Sequence, residues 1–192
     1  MNIIDRFHNW RRKLRWNKQY RNGRWDNLNN EIEKVRYLKI KEFIGRYAEQ
    51  SPKILDLGSG EGVLNRYLTD LNYESFTGID FSSVSIKKAN QHNFKNAAYH
   101  VADLHDYTPD KNYNVIIFNE AFYYIHNSEK ENVMKRVLSK LDSNGILISS
   151  IYREGHGCWE YFDRDNLTEL DFETVTTKNE NTYWKIGAYR KS

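Results

Sequence analysis

The stretch KILDLGSGEG at residues 53–62 decides the fold class. Its first half, residues 53–57, is short and mostly apolar, as a buried strand is, and Pro52 ends the helical pattern before it. Its second half is a turn rich in glycine: Gly58, Gly60 and Gly62. Glycines let a ligand approach the backbone closely, and a helical pattern resumes near Gly62. This order of strand, turn and helix is typical of the ligand-binding edge of a parallel sheet.

The alternation of strand and helix continues along the chain. Further strands are predicted at residues 75–79, 97–102, 113–118 and 146–151, and helices at residues 27–50, 62–71, 82–91 and 128–141. Two more strand-like segments, at residues 172–177 and 183–189, predict a terminal hairpin. Strands that alternate with helices form parallel sheets covered on both faces. We therefore expect an α/β fold with a doubly wound, seven-stranded sheet, mostly parallel with an antiparallel terminal strand and with helices on both faces.

The composition excludes several classes of protein. The chain has 192 residues, enough for one domain, and its fourteen Tyr, nine Phe and five Trp exclude a disordered chain. No apolar run is long enough to span a bilayer, and residues 1–10 show no secretory signal. The lone Cys158 excludes a disulfide framework and a zinc site built on cysteines. These features predict a cytoplasmic protein.

The N-terminal segment is strongly basic. Residues 1–25 carry eight Lys and Arg against one Asp, a net charge of +7, so the rest of the chain carries −4 of the total of +3. Apolar residues recur there at helical spacing: Ile3, Phe7, Trp10 and Leu14. We expect an arm of residues 1–26 beside a main domain of residues 27–192. The arm either packs on the domain with a solvated basic face or contacts an anionic partner such as a lipid surface or nucleic acid.

Acidic residues end two consecutive predicted strands. Asp80 ends the second strand, where a carboxylate can accept hydrogen bonds from a ribose diol, and Phe81 offers a flat face to an adenine ring. Asp103 ends the third strand and, with the backbone amide of Leu104, suits the edge of adenine. Each acid alone is more typical of a helix cap or a surface charge. Together with the glycine-rich turn they predict a slot for a nucleoside.

These motifs together resemble the class I S-adenosylmethionine-dependent methyltransferases. Residues 54–62 resemble the family's first motif, 77–82 the second, 102–104 the third and 113–120 the fourth, so that the resemblance covers roughly residues 30–151. It implies a Rossmann-like fold, S-adenosyl-L-methionine as methyl donor, S-adenosyl-L-homocysteine as product and no metal. Residues 118–125 are further similar to small-molecule members, including sugar and natural-product N- or O-methyltransferases.

The resemblance also implies the roles of particular residues. Asp56 and the loop residues hold the methionine end of the donor, Asp80 holds the ribose, Asp103 and Leu104 hold the adenine, and Asn119 lies near the sulfonium. The loop residues concerned are Gly58, Ser59, Gly60 and Gly62. Relatives close an N-terminal lid over the donor, and Tyr20 and Trp25 are the candidates for that lid here.

A nicotinamide enzyme is the main competitor, because it uses the same kind of sheet. Its loop normally reads G-x-G-x-x-G and holds a pyrophosphate. Here the spacing is G-x-G-x-G, and Glu61 in the loop would repel a pyrophosphate. The sulfonium donor has no phosphate, so these residues favour it.

Residues after the fourth and fifth strands are the candidates for the acceptor side. His126 and His156 are candidate general bases, since a hydroxyl nucleophile benefits from a base. Glu120, Tyr123 and Tyr124 are expected to contact the acceptor, and Arg153 to bind an acidic group on it. The alternative for each histidine is a helix cap or the surface, and for Arg153 an exposed position.

The function expected from the sequence is methyl transfer to an oxygen or nitrogen of a small molecule, with a sugar as one candidate acceptor. Asn119-Glu120-Ala121-Phe122 lacks the prolines typical of enzymes that methylate base amines, so a nucleic-acid partner is not favoured. Two alternatives stay open. One is an RNA methyltransferase that uses the basic arm, and the other is a scaffold that binds the donor without turnover. The oligomeric state is not determined by these patterns.

Overall fold

One mixed sheet organises the chain, and its strand order places the glycine-rich turn near the middle. The computed structural model describes residues 3–191, with the side chains of residues 3–10 and of Asn29 outside that description. Within residues 3–191 the sheet has seven strands: β1 Lys53–Leu57, β2 Ser75–Asp80, β3 Ala97–Val101, β4 Tyr113–Asn119, β5 Leu141–Tyr152, β6 Leu167–Thr176 and β7 Tyr183–Lys191. Their order is β3-β2-β1-β4-β5-β7-β6, and β7 runs antiparallel to both of its neighbours. The expected seven-stranded, mostly parallel sheet is confirmed.

Helices cover both faces of the sheet. In the described part of the chain they are α1 Ile3–Arg21, α2 Glu31–Tyr47, α3 Val63–Tyr67, α4 Ser83–Gln91 and α5 Asn127–Leu138, with short 3-10 helices at Asp26–Asn29, Phe122–Tyr124 and Cys158–Tyr161. Side chains alternate along β1, so Ile54 packs in a core with α2, α3 and α4, whereas Leu55 and Leu57 pack in a second core with α5. Sequence periodicity predicted this double coverage correctly.

Several boundaries differ from the sequence-based expectation. The strand predicted at residues 146–151 begins earlier, because Leu141 is buried and pairs with Tyr113 of β4. That pairing ends α5 at Leu138 rather than at residue 141. The helix predicted over residues 62–71 is only α3, after which Leu68 and Leu71 pack against the core from turns. The helix predicted from residue 27 begins at Glu31.

The expected N-terminal helix is present as α1, and Leu14 is the residue of its predicted apolar face whose side chain the structure describes. Ile3, Phe7 and Trp10 lie outside the described side chains, and Leu14 is 49% exposed. The residues of α1 that face the domain are Arg12, Trp16, Asn17 and Tyr20, at successive intervals of four, one and three positions. Because this face is aromatic and polar, hydropathy alone does not find it. The division at residue 26 stays a prediction.

Ser82 ties α1 to the start of α4. Its hydroxyl accepts from the backbone N–H of Ser85 at 3.2 Å, as an N-cap does, and donates to Asn17 Oδ1 at 2.7 Å. We expect Ser82→Ala to lower the free energy of unfolding by ~1–2 kcal/mol, since it removes the cap and leaves Asn17 unpaired. Urea denaturation measures the difference. The matched control is Ser83→Ala at the neighbouring exposed position, and equal losses in the two variants would contradict this role.

Candidate active site

A cleft of about 370 Å³ opens where the carboxyl ends of β1, β2 and β4 meet. The residues predicted from sequence that line it are Tyr20, Trp25, Gly58, Ser59, Gly60, Asp80, Phe81, Asp103, Leu104, Asn119, Glu120, Tyr123 and Tyr124. Residues from five separate stretches of sequence therefore meet at one edge of the sheet. This is the place where ligands bind in open α/β sheets.

The loop after β1 requires glycine at two lining positions. Gly58 has φ +85°, and a Cβ there would lie 2.4 Å from the Cβ of Ala121. Gly60 has φ +54°, and a Cβ there would lie 2.9 Å from the hydroxyl of Tyr20. Side chains at these positions would be strained and would close the cleft. Gly62 precedes α3 and faces Tyr99 rather than the cleft, so the structure does not place it in the lining.

Asp80 is buried at the end of β2 and organises the loops on either side. Its Oδ2 accepts from the N–H of Gly60 at 3.2 Å, while its Oδ1 accepts from the N–H of Ser82 at 2.8 Å and from the Ser85 hydroxyl at 3.0 Å. Burial raises the pKa of Asp80 to about 6, although these three hydrogen bonds lower it. The carboxylate is therefore ionised at neutral pH and positioned at the cleft wall.

Asp56 lies beneath the cleft rather than in its lining. It is fully buried on β1, and neither carboxylate oxygen has a hydrogen-bond partner among the described residues. Burial raises its pKa from 3.8 to about 7, against the lowering effect of the nearby Arg36 charge. The Ser59 hydroxyl and the indole Nε1 of Trp25 are also buried without a described partner, and both residues line the cleft. Such groups in native structures call for a ligand or ordered water.

Asp103 is held by His105, which sequence reasoning missed. The N–H of His126 donates to Nε2 of His105 at 3.0 Å, so Nδ1 carries the proton and donates to Asp103 at 2.6 Å. Burial acts to raise the pKa of Asp103, but the hydrogen bonds from His105 and the charge of Arg12 hold it below its ordinary value. Asp103 is thus an ionised acceptor at the edge of the cleft, 30% exposed in its side chain.

An aromatic cover, formed by Trp16, Trp25, Phe81 and Tyr124, lies over this part of the cleft. Trp16 stacks on Trp25 with centroids 4.8 Å apart and meets Phe81 and Tyr124 edge-on at 5.5 and 4.8 Å. Arg12 Nη1 donates to the backbone carbonyl of Tyr124 at 2.9 Å. The helix α1 is therefore fixed across the opening, whereas Arg15, Lys18 and Arg21 on its other side are exposed.

A polar cluster on α2 forms the opposite wall and was not predicted. Arg36 is only 2% exposed, and its guanidinium donates to Glu33 Oε2 at 2.7 Å, to the Tyr37 hydroxyl at 2.7 Å and to Asn119 Oδ1. Arg36 lies on the same helical face as the buried Ile40 and Phe43. This spacing could have indicated from the sequence that the Arg36 side chain is buried, because Arg36 follows the helical repeat of the buried apolar residues of α2.

Besides Asp56 and Gly62, three predicted residues on the acceptor side lie outside the cleft lining: His126, Arg153 and His156. His126 is exposed before α5, and its Nδ1 pairs with the Ser128 hydroxyl at 2.8 Å. His156 is exposed in a turn with φ +47°. Arg153 is exposed, donates to the Asn181 carbonyl at 3.2 Å and packs on the Tyr152 ring. Both histidine side chains lie at the surface, and a histidine base stays a prediction.

Membrane-spanning helices and metal clusters are absent from residues 3–191. No helix in this range is long and apolar enough to cross a membrane. No group of three or more His, Cys, Asp and Glu side chains in the same range is arranged to hold a metal ion. The expectations of a cytoplasmic location and of metal-independent chemistry stay predictions.

The fold and the cleft define an α/β domain with a ligand-sized cleft at the carboxyl edge of its sheet, and comparison with known families identifies its family. Residues 48–189 match the model of a family described as a methyltransferase domain. The chain belongs to this family, the class I S-adenosylmethionine-dependent methyltransferases, as the four sequence motifs indicated.

A malonyl-[acyl-carrier protein] O-methyltransferase of Bacillus cereus is similar in sequence. It is 31% identical over 136 residues, which are 69% of this chain and 49% of that protein. A putative methyltransferase 235L of Invertebrate iridescent virus 6 is 26% identical over 150 residues, 71% of this chain and 56% of that protein. The chain thus spans about half the length of the curated relatives it matches.

Solved structures show the same fold. The 1,6-didemethyltoxoflavin-N1-methyltransferase of Burkholderia thailandensis, with 1,6-didemethyltoxoflavin and S-adenosylhomocysteine bound, aligns with a TM-score of 0.78 at 13% identity, covering 96% of this chain and 90% of that one. The N-methyltransferase NodS of Bradyrhizobium japonicum, in complex with S-adenosyl-L-homocysteine, aligns with a TM-score of 0.72 at 15% identity, covering 87% and 91%. At such identities the likeness establishes the fold.

Proposed function

We propose that this protein transfers a methyl group from S-adenosyl-L-methionine to a nitrogen or oxygen atom of a small molecule. The observation that carries the proposal is the convergence of the glycine loop, Asp80 and Asp103 on one cleft. Family membership and neighbours crystallised with S-adenosylhomocysteine support it. The acceptor atom and a sugar acceptor are finer points that the relatives' names leave open.

The residues present fit the donor. Asp80 suits the ribose diol, Asp103 and the Leu104 amide suit adenine, and Phe81 offers a flat face beside them. At the other end, the unpartnered groups of Ser59 and Trp25 and the buried Asp56 and Arg36 match the charged and polar methionine end. A buried polar group without a partner in the ligand-free chain gains one when such a ligand binds.

The donor supplies a methyl group on a positively charged sulfur that leaves as a neutral thioether. The protein therefore mainly has to orient the acceptor and exclude water, and orientation alone contributes up to ~7–11 kcal/mol to lowering a barrier of this kind. The aromatic cover shields one side of the cleft, while Glu120, Tyr123 and Tyr124 line the region beyond Asn119. That region is where we place the acceptor.

Calorimetry with S-adenosyl-L-homocysteine tests the proposed function. We expect binding in the micromolar range, ~8 kcal/mol, and no binding of the dinucleotide NAD. Glu61, buried in the loop and paired with Lys88 at 3.1 Å, leaves no site for a pyrophosphate there. Absence of binding at millimolar S-adenosyl-L-homocysteine, or tighter binding of NAD, would contradict the proposal.

A further inference from the structure

Glu120 occupies an unusual position at the end of β4. Its backbone has φ +58°, a left-handed conformation that residues other than glycine seldom adopt. Its N–H donates to the Ser150 carbonyl at 3.0 Å, and its carboxylate accepts from the Tyr123 hydroxyl at 2.9 Å through Oε2 and from the Ser150 hydroxyl at 3.3 Å through Oε1. The carboxylate is therefore fixed in one orientation in the cleft wall. Each oxygen keeps a second acceptor position free.

The charges around Glu120 are unbalanced. None of the ion pairs among the described residues includes Glu120, and its partners are neutral hydroxyls. The cation whose charge acts on Glu120 is Arg36 on α2, whose guanidinium already donates to Glu33, Tyr37 and Asn119. The other groups that act on Glu120 are Glu33 on α2, the Tyr123 hydroxyl and the Ser150 hydroxyl. This wall thus holds two carboxylates for one guanidinium.

Aromatic rings complete the same end of the cleft. Tyr152 at the end of β5 and Trp184 in β7 both line it, and their ring centroids are 5.8 Å apart. Trp184 is 2% exposed, while Tyr152 is 38% exposed and lies toward the solvent. Both rings already contact cations: the Arg36 guanidinium lies 5.8 Å from the Trp184 ring centroid and the Arg153 guanidinium 4.9 Å from that of Tyr152. The faces of these rings therefore favour positive charge at this end of the cleft. A carboxylate ligand in the same place would meet Glu33 and Glu120 as like charges.

We propose that Glu120 binds the acceptor as a protonated amine and takes the proton that frees the nitrogen for methylation. This inference rests on the proposed function and narrows its acceptor to amines. In the proton step an N–H bond of the ammonium breaks, an O–H bond forms on the Glu120 carboxyl group, and the electron pair stays on nitrogen as the nucleophile. Burial raises the pKa of Glu120 to about 7, so it exchanges protons near neutral pH.

Ligand binding to the protein saturated with S-adenosyl-L-homocysteine tests this inference. The probes are benzylamine, benzyl alcohol and benzoate, which share a ring and differ in charge, and their affinities are measured by calorimetry or NMR titration. We expect benzylamine to bind at least about tenfold more tightly than benzoate, and Glu120→Gln to remove that preference. Glu74→Gln, at an exposed carboxylate outside the cleft, is the control that keeps it.

The pH dependence gives a second readout that a merely structural role would not produce. Benzylamine binding to the unaltered protein should strengthen as pH rises through about 7, where Glu120 loses its proton, and should weaken again when the amine itself loses its proton near pH ~10. In Glu120→Gln the increase in benzylamine affinity around pH 7 should be absent. Equal or tighter binding of benzoate, no binding of benzylamine at millimolar concentration, or an unchanged profile in the variant would overturn the inference. Saturation with S-adenosyl-L-homocysteine in these samples shows separately whether the proposed function holds.

Discussion

The Asp80→Ala variant is expected to bind S-adenosyl-L-homocysteine at least about a hundredfold more weakly than the unaltered protein, a loss of ~3 kcal/mol. The carboxylate is placed to accept hydrogen bonds from a ribose diol, and hydrogen bonds to charged groups contribute ~1.5–3 kcal/mol each. The substitution also removes the hydrogen bond that the Gly60 N–H donates to Asp80, so we expect the glycine-rich loop after β1 to become more mobile. Calorimetry at neutral pH measures the change in affinity.

The control for this variant is Asp70→Ala, which removes a carboxylate with 67% side-chain exposure that pairs with Lys41 on the surface. Thermal melting of both variants shows whether the fold survives. In the unaltered protein the affinity should also decline as pH falls through about 6, where Asp80 takes up a proton. A folded Asp80→Ala variant that binds as tightly as Asp70→Ala would refute the ribose assignment.

Asp56→Asn is expected to stabilise the ligand-free protein while weakening donor binding. The raised pKa means that the folded state holds the Asp56 proton up to about pH 7, whereas the unfolded chain releases it near pH 3.8. The charge therefore lowers stability increasingly as pH rises between these values, by up to ~4 kcal/mol above pH 7. An asparagine avoids this charge but brings its own unpaired amide, so we expect a net gain of ~2 kcal/mol at pH ~8.

Urea denaturation across the pH range measures this gain. The difference in the free energy of unfolding between Asp56→Asn and the unaltered protein should be largest above pH 7 and should vanish or reverse at pH ~4. At pH ~4 Asp56 is neutral in the folded state of the unaltered protein and about half protonated in the unfolded chain. The same variant should bind S-adenosyl-L-homocysteine at least about tenfold more weakly, since the ionisable group beneath the proposed methionine end is lost. A variant destabilised at every pH would show that the carboxylate has a structural partner instead.

The sequence was most informative about the donor side. A strand that ends in a glycine loop, and acids that end the next two strands, are local patterns whose positions follow from the topology of a parallel sheet. Gly58, Asp80 and Asp103 could therefore be placed in one cleft from the sequence alone. Gly62 is the exception, because it belongs to the same turn but faces Tyr99.

The walls of the acceptor side were harder to predict because they depend on tertiary packing. Arg36 and Glu33 reach the cleft only because α2 packs on the sheet against β5, β6 and β7, and Trp16 only because α1 crosses the opening. The hypothesis of a histidine base rested on the chemistry of the imidazole group and on the positions of His126 and His156 after β4 and β5. Both are exposed and outside the cleft lining, at positions whose geometry the sequence does not specify, whereas Glu120 lines the cleft.

The position of β7 between β5 and β6 brings a second set of residues to the cleft from the C-terminal half of the sheet. The residues proposed to bind the nucleoside come from the ends of β1, β2 and β3, whereas Tyr152, Thr182 and Trp184 come from β5, from β7 and from the loop before it. We therefore expect that exchanging the C-terminal hairpin, β6 and β7, changes the acceptor specificity and leaves the affinity for the methyl donor unchanged.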